Sequence, residues 1–157
     1  MSGRRFAALV AALVGVLVSG CGEDIEGNSK RVVASFLTAV ADGDSAKACR
    51  LYHRSRLRLS YGLGMRVGPD CEQLVTSLSR RLSPADKEVL RVSESELDVK
   101  KDNERDERGN VRAPSEINGG SEIFVDRFPG LPGKPWRITD LCESRCSGVL
   151  GRARPRP

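Results

Sequence analysis

The stretch Ser29 to Cys49, SKRVVASFLTAVADGDSAKAC, decides the fold. Val32, Val33, Phe36, Leu37 and Val40 recur at the three- and four-residue steps that stack side chains on one helix face. A helix capped at Asn28 or Ser29 should therefore run to a stop near Asp42-Gly43. Asp44 or Ser45 can cap a second helix, on which Ala48, Cys49 and Tyr52 share a face while Arg50 and Arg54 point elsewhere.

Downstream, His53 to Leu59 is read as a continuation of that helix, although RSRLRL also alternates like a strand. Tyr61-Gly62-Leu63-Gly64 and Gly68-Pro69 form a breaker-rich connection. Asp70 and Gln73 then stand in a capping-box spacing and open a third helix with Cys71, Leu74, Val75, Leu78 and Leu82 on one face. Ser83-Pro84 supplies a cap and a first-turn proline for a short further segment.

After Lys87 the period changes from helix to strand. Val89 to Val92, Leu97 to Val99, Ile123 to Val125 and Trp136 to Ile138 are short aliphatic pieces with alternating polar neighbours. Lys100 to Asn110, KKDNERDERGN, has interleaved charges and no apolar residue, which predicts a solvated hairpin loop or a disordered excursion. Phe128 to Pro135, FPGLPGKP, predicts consecutive turns in preference to a proline-rich recognition element. Gly148 to Pro157 has no periodicity and predicts a disordered basic tail.

Upstream, Arg4 and Arg5 precede an apolar and small run from Phe6 to Val18 that ends in Val18-Ser19-Gly20-Cys21. A spanning helix needs about 20 apolar residues, and this run is shorter, with a cysteine where cleavage would fall. The segment resembles bacterial lipoprotein signals. That resemblance implies removal of residues 1–20, a diacylglycerol thioether on Cys21, and a lipidated tether over 21–28.

Loss of the first twenty residues leaves 137 of 157, enough for one domain. With Arg4 and Arg5 removed, the formal net charge falls from +5 to +3, only mildly basic. With 39% hydrophobic and 4% aromatic residues, the core must come from Leu, Val and Ile. Committing Cys21 to lipid leaves Cys49, Cys71, Cys142 and Cys146, an even set suited to disulfides in an oxidising compartment. Three connectivities exist, and the local one, Cys49–Cys71 with Cys142–Cys146, is favoured. On a chain-entropy argument the first bridge would contribute ~3 kcal/mol and the second ~2.

Three helices followed by antiparallel strands make an α+β order. With FLTAVADGDSAKAC, a cysteine opening the third helix, and KPWRITDL as the last strand, the chain from about Ser29 to Leu141 resembles the nuclear-transport-factor-like (SnoaL-like) domains of actinobacterial lipoproteins. The resemblance implies three N-terminal helices on a curved, cone-like antiparallel sheet. It implies no activity, because such cones host enzymes, binders and scaffolds alike.

Candidate chemistry is sparse. His53 is the single histidine, with Arg50, Arg54 and Arg56 beside it in sequence, and no catalytic motif of the family matches here. Cys142 and Cys146 have three intervening residues, which departs from a thioredoxin-like motif and suits a structural bridge better than zinc. Arg50, Arg54, Arg56 and Arg58 form a basic patch that could meet an anionic surface, although a solvated helix face is the preferred reading.

The expectation is a lipid-anchored protein on the extracytoplasmic face of the cell membrane. It would be non-enzymatic, without cofactor or metal, binding a small ligand or an envelope protein, with no nucleic-acid partner. The alternative is a SnoaL-like lyase, isomerase or hydrolase using carboxylates inside the cone.

Overall fold

The computed structural model describes residues 24–53, 70–101, 107–133, 135–141 and 147–153, the side chains of Asp70 and Lys101 excepted. Helix α1, Ile25–Asp42, begins ahead of the expected cap: Asp24 is the N-cap, accepting from the Gly27 N–H at 2.9 Å. Residues from Ile25 therefore leave the expected tether, and the cause is that Ile25 packs against the core. A solvated tether would expose that surface. The helix ends at Gly43, whose φ of 75° gives the left-handed cap expected there. Val33, Phe36, Leu37 and Val40 are buried, as the periodicity required, while Val32 is half-buried at the edge of that face, and Ala34, Ala39 and Ala41 are buried too because α1 is packed on several sides.

Helix α2, Ser45–Leu51, is capped by the Asp44 carboxylate, which accepts from Lys47 N–H at 2.9 Å. It does not continue through His53. Tyr52 is extended (φ −107°, ψ 140°) and bridges to Ile138, whose carbonyl accepts the His53 N–H at 2.8 Å. Burying the Tyr52 ring beside Phe36, centroids 5.8 Å apart, outweighs another turn on a helix too short to be stable alone. Residues 54–59, the rest of that expected helix, lie outside the described residues.

Helix α3, Asp70–Arg81, buries Cys71, Leu74, Val75, Leu78 and, just past its end, Leu82, the face read from the sequence. Helix α4, Pro84–Val89, follows at once. The expected strand Val89 to Val92 does not form, because a reciprocal Ser83–Asp86 capping box and Pro84 at the start commit the segment to a helical turn. Leu90 and Val92 still reach the core.

Strands β1 (Asp98–Lys101), β2 (Arg108–Arg112), β3 (Glu122–Arg127) and β4 (Trp136–Asp140) form an antiparallel sheet in sequence order. Thus the chain is α+β, with helices and a four-stranded antiparallel sheet. The charged stretch Lys100 to Asn110 is not all excursion: β1 runs to Lys101 and β2 starts at Arg108. Strand β2 is paired on both sides, Val111 standing opposite Val99 of β1 and Ile123 of β3. Side chains alternate. Val111, Ile123, Val125 and Ile138 are fully buried, and α1 packs across all four strands.

A short helix α5, Ser115–Asn118, and a terminal helix α6, Gly148–Arg152, close the described fold. The expected disordered tail is therefore corrected over 148–153, since Val149, Leu150 and Ala153 are each at most 4% exposed. Residues 154–157 are outside the described set. Arg152 meets Asp86 at 2.9 Å, tying α6 to α4.

The Ser83 hydroxyl, and next the Arg152 guanidinium, hold the Asp86 carboxyl below its ordinary pKa of 3.8. A depressed folded-state pKa gives stability that is present above the unfolded value and lost as pH falls through the folded one. Asp86→Ala should therefore cost about 1 kcal/mol near neutral pH, a cap-sized effect. In urea titrations the gap between variant and parent should close below about pH 4. A gap that stayed constant down to acid would exclude the carboxylate as its source.

Candidate functional site

Between α1 and the sheet lie fully buried aliphatic side chains. Val33, Leu37, Val40, Val111, Ile123, Val125 and Ile138 all have zero exposure. The buried polar residues among those described are Ser29, Ser79, Asn118 and Thr139. Ser29 Oγ has no hydrogen-bond partner, and Asn118 donates to the Ser121 and Leu141 carbonyls at 2.8 and 3.4 Å. Every described aspartate and glutamate side chain is half-buried or exposed. Among the described residues, then, no acidic side chain is fully buried.

Cys49 and Cys71 are bonded, with Cα atoms 6.0 Å apart, joining α2 to α3. Both are buried, at 3% and 5% exposure. Cys21, Cys142 and Cys146 lie outside the described residues, as do Arg54, Arg56 and Arg58. Arg50, the described member of that basic patch, is exposed on α2. His53 is half-buried, its ring stacked on Phe128 with centroids 4.1 Å apart and planes within 6°. The stack pins the β3–β4 turn to the end of α2.

The face of the sheet opposite α1 carries a polar array that sequence reading missed. Arg108, Asp126 and Arg137 lie side by side on β2, β3 and β4. Arg108 grips Asp126 with two bonds, Nε to Oδ1 at 2.5 Å and a terminal nitrogen to Oδ2 at 2.7 Å. Its guanidinium carbon also stands 5.3 Å from the Phe124 ring centroid. Thr139 donates its hydroxyl to Asp126 Oδ2 at 3.0 Å. Arg112 meets Glu122 at 3.4 Å two rows away on the same face. With three donors on its carboxylate from two neighbouring strands, Asp126 is a cross-strand clamp. The signal was there in the alternation Arg108, Asn110, Arg112, but one valine among charges hid the strand.

An open groove of about 620 Å³ runs along α3 beside the start of α2, with Ser45, Glu72, Thr76, Arg80 and Arg81 on its walls. Both charge signs line it, which selects for neither anions nor cations. Among the described residues no group of three or more His, Cys, Asp or Glu side chains is placed to hold a metal ion. No described helix is long and apolar enough to cross a membrane.

Comparison with known protein families, curated proteins and solved structures finds no match for this chain.

Proposed function

We propose that this protein is a lipid-anchored domain on the extracytoplasmic face of the cell membrane that acts by binding an envelope partner. The observation that carries the reading is the buried Cys49–Cys71 bridge. Disulfides persist in oxidising compartments, and an exported chain is what the Met1–Cys21 signal calls for. Binding through the surface fits an interior already occupied by aliphatic side chains. The cone-like form of the fold belongs to this proposal too, and α1 lying across all four strands supports it. The enzymatic alternative needs a carboxylate inside the cone, and the described acids all reach solvent.

Replacing Cys21 by serine tests the anchor. The expected result is release of the protein from membranes into the soluble fraction and loss of metabolic labelling by radioactive fatty acid. A Cys21→Ser protein that still takes up label at wild-type level would refute it.

A further inference from the structure

Helix α1 begins four residues after Cys21, and its cap Asp24 stands only three after it. At ~3.5 Å per residue, Asp24 can lie no more than about 10 Å from a lipidated Cys21. If the anchor proposed above holds, the end of the domain around the start of α1 must face the bilayer at close range.

The sheet defines that end. A Cβ built on Gly109 would lie 3.5 Å from Ile25 Cγ2, so the first turn of α1 sits over the start of β2. In an antiparallel meander of order β1-β2-β3-β4, the β1–β2 and β3–β4 turns share one end. The Arg127 N–H donating to the Glu107 carbonyl at 3.0 Å places the two turns side by side. Therefore the β3–β4 turn lies at the same end as the lipid-bearing terminus.

That turn has a composition suited to lipid. Pro129, Gly130, Leu131, Pro132 and Gly133 are consecutive, uncharged and exposed. Leu131, at 38% exposure, is the exposed large hydrophobic side chain of the described residues. The Leu131 N–H closes a turn on the Phe128 carbonyl at 3.1 Å, with Pro129 in the position where proline is favoured. The His53–Phe128 stack holds the base. The turn is thus preorganised, and little conformational freedom is lost on contact. Tethering nearby raises the effective concentration of the surface it meets.

We propose that the Pro129–Gly133 turn is a second membrane contact, seating Leu131 at the headgroup–acyl boundary and fixing the orientation of the anchored domain. The occupant is a bilayer surface, recognised by apolar contact and not by charge. This rests on the Cys21 anchor, so the test reads the two separately.

The full lipidated chain is reconstituted into phosphatidylcholine vesicles with or without brominated acyl chains, after metabolic labelling has reported on Cys21. Trp136, the single native tryptophan and 8% exposed, gives the baseline emission. Leu131→Trp should be quenched roughly twofold beyond that baseline by shallow bromine, the depth an interfacial apolar group reaches. Glu94→Trp, exposed just ahead of β1 at the opposite end of the sheet, should not. Quenching should persist at about 1 M salt, where charges are screened within about 3 Å. An unquenched Leu131→Trp, equal quenching at both positions, or loss of quenching in salt overturns this orientation while the label on Cys21 leaves the anchor standing. Absence of the label removes the anchor and this inference together.

Discussion

Replacing Cys49 and Cys71 together by alanine should lower the unfolding free energy by about 3 kcal/mol, read as a reduced urea midpoint. The bridge closes a loop across a separation of 22 residues, which the unfolded chain must otherwise explore. It also staples α2, a seven-residue helix, to α3. Such a helix has little stability of its own and depends on its packing. Against the 5–15 kcal/mol typical of whole domains, about 3 is a large share. Reductant added to the unfolded wild-type protein should reproduce the loss on refolding. A variant within about 1 kcal/mol of the parent under oxidising conditions would remove the bridge from the stability argument, and with it the support it lends to an exported location.

The second large effect is expected at Gly148. Its φ is 62°, in the left-handed region, and a Cβ there would meet the Glu116 carbonyl oxygen at 2.4 Å and the Ile117 carbonyl carbon at 2.8 Å. These are backbone atoms, held because Ile117, Val149 and Leu150 are buried at 1% exposure or less. Relief would require α5 and α6 to separate. Gly148→Ala should therefore cost about 3 kcal/mol, combining ~1 for the backbone conformation with the displaced packing. Gly120 is the control. Its φ is 77° and a Cβ would meet nothing within 4 Å, so Gly120→Ala carries only the backbone cost of ~1 kcal/mol. Thermal unfolding of the pair should separate them by several degrees. Equal losses would mean that the α5–α6 approach is looser than its geometry states.

The buried faces of α1 and α3 were legible in the sequence, whereas the start of α1 at Ile25 and the end of α2 at Leu51 were not. The faces Val33, Phe36, Leu37, Val40 and Cys71, Leu74, Val75, Leu78 are buried as their spacing required. Asp44, Gly43 and Ser83 terminate or begin helices as their chemistry suggests. The pairing of Cys49 with Cys71 was the favoured of three connectivities. The polar array was not legible. Arg108 and Asp126 are 18 residues apart in the chain, and only the β2–β3 register places them opposite each other.

From residues alone, then, came the buried faces of α1 and α3 and the caps at Gly43, Asp44 and Ser83, because helix bonds and caps join residues three and four positions apart. Tertiary structure decided the rest. Strand β2 exists because β1 and β3 pair with it on both sides, although its own composition reads as solvent-exposed. Tyr52 leaves its helix because Ile138 offers it a strand edge. Helix α6 is ordered because Val149 and Leu150 find a core formed elsewhere and Gly148 can approach Glu116 without a side chain. Each of these depends on partners distant in sequence, and no local period or composition records where such partners will stand.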